Sequence, residues 1–146
     1  GMYGPLAPFA VACKNSGYDV GLVGCSNAYT DNLIAIAGDA AEGICAPVSF
    51  FAGNPDEKVQ AYVAAYTEKY GTAPSALTTQ AYDSVGILLE AIERAGVLDR
   101  EAIKNEMYNT EYEGMSGYTT FDEIGDAQKV FTKIMVVDGA FQVAEF

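Results

Sequence analysis

Between Gly17 and Gly96, short apolar runs suited to strands alternate with capped helical segments, and that order restricts the chain to folds in which helices lie against a sheet. Val20 to Val23 is apolar and mostly branched, bounded by Tyr18-Asp19 and by Gly24, and reads as a short buried strand. Asp31 can cap a helix over Asn32 to Ala37 that stops at Gly38. Ile44 to Phe51 reads as a second buried strand, in which Pro47 implies a bulge or a sheet edge. The clearest helix is Pro55 to Tyr70: Asn54 caps, proline takes the first helical position, Asp56 and Glu57 fill the first turn, and Gly71 terminates. Val59, Tyr62, Val63 and Tyr66 give it one apolar face. A second helix runs from about Ala76 to Ala95 before Gly96, a third from Asp99 to about Tyr108, and Pro5 to Ser16 forms a short one at the start.

After Gly114 the period changes. Tyr118 to Phe121 and Val130 to Val137 have strand composition, Asp122 to Asp126 supplies a turn, and Asp138-Gly139 is a hairpin signal before Phe141 to Phe146. The expected fold class is therefore α/β, with a partly parallel sheet and a C-terminal antiparallel hairpin. A length of 146 residues suits one domain with one core. No run of eighteen apolar residues suggests a membrane span, and a net charge of -12 repels phosphate backbones, so no nucleic-acid partner is expected.

With no histidine, imidazole-dependent triads and the usual zinc sets cannot be assembled, and neither a metal nor a cofactor is expected. No carboxylate pair is marked for catalysis; Glu111 and Glu113 read as a solvated connection, so no catalytic residue is assigned. Cys13, Cys25 and Cys45 form no CxxC pair and read as two small buried hydrophobes and one partly exposed thiol. No leader pattern precedes the fold, so no signal peptide is read in this chain, and Gly1 before Met2 resembles a tag remnant.

Several motifs in order carry a resemblance. They are Gly17-Tyr18-Asp19-Val20 before Leu22-Val23-Gly24, the run Ile36-Ala37-Gly38-Asp39-Ala40-Ala41-Glu42-Gly43, Tyr82-Asp83 on a helix that ends Glu93-Arg94-Ala95-Gly96, and Gly117 to Gly125. Together they resemble the C-terminal portion of the branched-chain-amino-acid-type periplasmic solute-binding proteins, over nearly the whole chain. The resemblance implies a three-layer α/β/α lobe of a type 1 periplasmic-binding fold. It implies that residues 1–146 form a single partial domain of a two-lobed protein whose lobes are joined by three crossing segments. It further implies a small organic solute as ligand, an amino acid or analogue, and the membrane subunits of an ABC transporter as partners of the full-length form. The implied location is periplasmic or extracellular. The helices from Ala76 to Tyr108 would pack on the missing lobe, which makes a homo-oligomer of this chain an expectation.

The resemblance also implies ligand-binding positions. A tyrosine after a strand falls at Met2 or Tyr3; Ser26, with neighbouring Asn27, follows the strand ending at Gly24; and Leu77, five residues before Tyr82, stands where the family has an aromatic ring. Family members that bind amino acids often hold an acid at the Ser26 position. A carboxylate there meets an ammonium with a charge-assisted hydrogen bond of about 1.5 to 3 kcal/mol, whereas serine offers a neutral dipole. A ligand with a hydroxyl, carbonyl or amide at that point suits Ser26 and Asn27 better than an ordinary zwitterion. Leu77 enlarges or softens the pocket wall.

Other residues have plainer readings. Tyr62, Tyr66 and Tyr70 fall at helical spacing and read as core-edge residues rather than a sugar-binding surface. Asp122, Glu123 and Asp126 lack the ligand spacing of a calcium loop and read as a solvated turn. Gly38 to Gly43 reads as a helix end leading into a strand, its acids unsuited to phosphate. Two alternatives to transport stay open: the ectodomain of a ligand-sensing receptor, and a non-binding truncated remnant that self-associates.

Overall fold

The computed structural model describes Met2 to Ala144. In chain order the elements are α1 (Tyr3–Asn15), a 3₁₀ turn (Ser26–Ala28), α2 (Asp31–Ala37), a second 3₁₀ turn (Gly38–Ala41), β1 (Cys45–Val48), α3 (Glu57–Tyr70), α4 (Ala76–Ala95), α5 (Arg100–Met107), β2 (Tyr112–Gly114), β3 (Gly117–Phe121), β4 (Ala127–Lys129), β5 (Thr132–Val137) and β6 (Ala140–Val143). Gly1, and the last two residues of the strand expected over Phe141 to Phe146, lie outside the described residues. The chain divides into two compact units, residues 2–48 with 131–144, and Ser49–Val130.

In the first unit the sheet order is β1-β5-β6, antiparallel throughout, with Ala46 opposite Ile134 and Val136 opposite Phe141. The period of two puts Ala46, Val48, Ile134 and Val136 on one face, where all four are buried, and leaves Pro47, Lys133 and Val137 exposed on the other. Pro47 sits on an edge strand, the placement its missing N–H demands. The parallel component of the sheet is a single bridge, Val23 to Cys45. Reading Val20 to Val23 as buried is corrected: Val20 and Val23 are 51% and 70% exposed, because one bridge holds this segment without covering either face. Helices α1 and α2 pack on each other and bury Leu6, Ala7, Ala10, Leu33 and Ala37. The hairpin joining β5 to β6 turns on Asp138 and Gly139, both left-handed, as the dipeptide predicts. Glu42 clips it, its carboxylate oxygens accepting from Asp138 N at 3.0 Å and Gly139 N at 2.6 Å.

In the second unit, helix ends follow their caps. Helix α4 starts from a reciprocal capping box between Ser75 and Thr78 and stops at Gly96. Helix α3 starts two residues later than expected, because Asp56 accepts from Lys58 N and Val59 N, while Asn54 accepts from Asp56 N one step upstream. In the first unit, Thr30 rather than Asp31 likewise caps α2. The second sheet has the order β2-β3-β4, also antiparallel. The 122–126 segment is the expected turn: Asp122 accepts from Ile124 N, Asp126 N and Gln128 Nε2, which commits its carboxylate to the chain itself. Helix α5 lies along α4, tied by Arg94 of α4 to the Glu106 side chain and to the Glu106 carbonyl.

Candidate ligand-binding loop

The loop from Gly24 to Thr30 leaves the bridge at Val23 and lies against β1 and the first turns of α1. Gly24 makes this approach possible: a Cβ there would stand 2.5 Å from Ala28 Cβ and 3.1 Å from Leu6 Cδ2. Ala28 is fully buried, so the 3₁₀ turn is pinned by its third residue and presents its first two outward. Ser26 is half-buried and Asn27 exposed. Among the described residues neither the Ser26 hydroxyl nor the Asn27 amide makes a side-chain hydrogen bond, and their donors and acceptors face no internal partner. Tyr29 packs edge-on against Phe141 with ring centroids 5.2 Å apart, which fixes the far end of the loop to β6.

Tyr3, half-buried, opens α1, the helix whose Leu6 meets Gly24, so Tyr3, Ser26 and Asn27 share one unit. Leu77, 70% exposed in the first turn of α4, belongs to the other unit. The loop carries no charged side chain from Gly24 to Thr30. It can recognise a neutral polar group through a hydroxyl and an amide.

The first unit also holds a groove of about 330 Å³ lined by Cys13, Lys14, Tyr18, Asp39 and Glu42 among others. Lys14 and Asp39 pair there at 2.7 Å, and this hydrogen bond and charge hold the Asp39 carboxyl below its ordinary range. Glu42 is committed to the hairpin. Cys13 and Cys45 are half-buried rather than fully buried, and Cys25 is exposed. Among the described residues no group of three or more acidic or thiol side chains is placed to hold a metal ion, and no helix is long and apolar enough to cross a membrane.

Sequence reasoning gave Asp83 no role of its own. It is 1% exposed and accepts from Met115 N at 2.9 Å, from Ser116 N at 2.7 Å and from the Ser116 hydroxyl. Lys129 Nζ in turn donates to Ser116 Oγ at 2.7 Å. Burial pushes the Lys129 ammonium below its ordinary range, an effect the Asp83 charge partly offsets. One signal could have found this latch: Asp83 is the lone charge between Ala76 and Leu89, and a lone charge on an apolar helix needs a buried partner.

A family model described as periplasmic binding protein matches residues 1–139. The chain is 31% identical over 115 residues to a leucine-, isoleucine-, valine-, threonine- and alanine-binding protein of Pseudomonas aeruginosa, covering 77% of this chain and 30% of that protein. It is similar in structure to a branched-chain amino acid ABC transporter protein from Rhodospirillum rubrum, with a TM-score of 0.87 and 33% identity. It is also similar to a leucine-binding protein from Thermotoga maritima, with a TM-score of 0.85 and 32% identity. Each of these two matches covers 99% of this chain and 42% of the other. The chain thus spans less than half the length of these relatives.

Proposed function

The chain belongs to the periplasmic binding protein family, and on that premise we propose that it is the C-terminal portion of a two-lobed, extracytoplasmic solute-binding protein that delivers an amino acid or related small organic solute to an ABC transporter. The membrane subunits of that transporter are the partners of the longer form. Binding without turnover is the activity proposed, in keeping with relatives that bind solutes and with a chain that lacks histidine. The chain leaves the first unit after Val48 and returns at Phe131. These two passages are proposed as two of the three crossings that join the lobes.

The single observation that supports a binding role is the pinned loop with an unpaired Ser26 hydroxyl and Asn27 amide. Tyr3 is assigned to the same side of the ligand, and Leu77 is proposed as a ligand-binding position on the family resemblance alone. Because the loop is uncharged, the solute is proposed to turn a hydroxyl, carbonyl or amide toward it. A partial site leaves a ligand exposed and short of opposing donors, so this chain alone is expected to bind weakly. Calorimetry with amino acids, hydroxy acids and amides tests that reading: heats at or below the detection limit are expected, and micromolar binding of leucine contradicts it. In the longer form, Ser26→Ala is expected to weaken the preferred solute roughly 3- to 10-fold, the worth of one neutral hydrogen bond. An unchanged affinity removes Ser26 from the site.

A further inference from the structure

We propose that Phe141, on β6, is a positioning residue for solute recognition: its ring holds Tyr29 and thereby the turn that carries Ser26 and Asn27, and Glu42 holds the hairpin that carries the ring. This rests on the reading of that loop as a solute contact and adds to it two residues that lie outside the loop. All the contacts involved lie inside the first unit, whatever the rest of a longer protein covers.

The loop has little to hold it from within. Its 3₁₀ turn is closed by Ala28 N donating to the Cys25 carbonyl at 2.8 Å and Tyr29 N to the Ser26 carbonyl at 3.1 Å, and no side chain caps it. The hydrogen-bond geometry of so short a 3₁₀ turn is poor, so its shape depends on its surroundings. The main chain is anchored on either side, by Gly24 N on the Cys45 carbonyl at 2.8 Å and by the Thr30 cap of α2. Between those anchors the side chains that dock inward are Ala28, a single methyl, and Tyr29. The Tyr29 ring meets Phe141 at an interplanar angle of 89°, the edge-to-face geometry that aromatic pairs prefer, and so supplies a directional hold that a methyl cannot.

The Phe141 ring is itself fixed from two sides. Phe141 stands opposite the buried Val136, whose N–H donates to the Ile44 carbonyl and whose carbonyl accepts from Gly43 N, both at 3.0 Å. Two residues before Phe141, Gly139 N donates to the Glu42 carboxylate, as Asp138 N does, so one side chain sets the turn from which β6 departs. Glu42, Gly43 and Ile44 are consecutive, and these three neighbours hold both the turn and the strand beside the ring. A continuous series of contacts thus runs from Glu42 through the hairpin to Phe141, to Tyr29, and to the turn bearing Ser26 and Asn27. A hydrogen bond weakens steeply as its angle falls, so a turn free to rock would aim its hydroxyl and amide off the solute for part of the time.

Hydrogen exchange on the 146-residue chain, read by NMR, tests the link. Phe141→Ala is expected to speed exchange at the Ala28 and Tyr29 amides about 2- to 10-fold, the worth of one edge-to-face pair, while the Val136 amide keeps its rate. Tyr29→Leu, which cuts the same contact from the other side, is expected to match it at Ala28, and Phe141→Tyr, which restores the ring, to give wild-type rates. Glu42→Gln, which keeps the shape but gives up one acceptor, is expected to speed the Asp138 and Gly139 amides most and the Tyr29 amide by a smaller factor. Unchanged loop rates in Phe141→Ala overturn the proposal, and so does equal acceleration at Ala28 and Val136, which would mean that Phe141 only stabilises the sheet. A Tyr29 amide indifferent to Glu42→Gln overturns the part given to Glu42. In the longer form, calorimetry with leucinamide is expected to show Phe141→Ala and Ser26→Ala each weakening binding about 3- to 10-fold and the double variant little more than either, since both act on one hydrogen bond. Full additivity overturns the link to Ser26. A loop loosened by Phe141→Ala in a protein whose leucinamide binding ignores Ser26→Ala leaves the link standing and removes the solute reading instead.

Discussion

The two units differ in what they bury: the first encloses apolar side chains alone, the second a mixture of apolar and polar ones. Among the described residues the first encloses Leu6, Leu33, Ile44, Val48, Ile134 and Val136 with a set of alanines, and no polar side chain is buried in it. The second buries Ser49, Thr79, Asp83, Thr110, Ser116 and Thr119 beside Phe50, Phe51, Val59, Pro74, Ile87 and Ala91. It leaves many large apolar residues outside, most of them along and after α4. The first unit is therefore held by apolar burial, which is non-directional. The second depends on directed hydrogen bonds around one carboxylate, whose loss leaves partners unsatisfied. A region with few buried apolar contacts and a solvated apolar face opens more readily.

Removing the carboxylate is the harshest way to probe this contrast. Asp83→Ala strips three acceptor contacts from the turn between β2 and β3, and a destabilisation of about 3 to 5 kcal/mol confined to the second unit is expected. Hydrogen exchange reads it directly: the Met115 and Ser116 amides lose protection while those of β5 keep theirs. Equal losses in both units would erase the distinction. The matching probe of the first unit is Leu33→Ala, at a fully buried site, with an expected cost of about 3 kcal/mol felt there and not at Ser116.

A finer probe is packing beside the latch. A Cβ on Gly86 would stand 2.1 Å from Tyr112 Oη, so Gly86→Ala is expected to lower stability by about 1 to 2 kcal/mol despite the better helix propensity of alanine. Combining it with Tyr112→Ala, which opens that space, is expected to be less than additive in thermal melts. Full additivity would mean that the two residues do not meet.

The pH response is a smaller effect. Lys129 has a folded-state pKa below its unfolded value of 10.5, so between the two the unfolded chain binds more protons and this group's contribution to stability rises with pH. Tyr62 and Tyr112 are raised above 10.0 chiefly by desolvation, and their contribution falls as pH rises above 10.0. Denaturant midpoints measured from pH 8 to 11 are expected to lose the rising component in Lys129→Met and part of the falling one in Tyr62→Phe, the remainder belonging to Tyr112. At the weak end, Asp39→Asn breaks an ion pair in which Asp39 is exposed and Lys14 half-exposed, and is expected to leave the melting temperature unchanged at neutral pH.

Much of the fold was legible because its signals are local. Gly71 and Gly96 stop their helices and Asp138-Gly139 makes the hairpin, each through chemistry contained in a few neighbouring residues. Long-range facts were not legible. The Asp83 latch joins residues 33 apart, and nothing at Ser116 marks it as a partner. The solvent-exposed valines at 20 and 23 have the composition of a buried strand, and only their single bridge partner shows otherwise. The passage from one unit to the other at Ser49 falls inside one continuous apolar run, so no shift in composition announces it. Ser26 and Asn27 were reached through family resemblance, since two polar residues in a loop carry no periodic signal.

The most direct test of the central proposal is the mass of the protein in the cells that make it, by mass spectrometry after enrichment with an antibody to this region. The account predicts a product larger than 15.5 kDa in proportion to the 42% of its structural relatives that this chain covers. A product of 15.5 kDa would contradict it, because a chain of that length lacks the rest of the site and could not serve transport by itself.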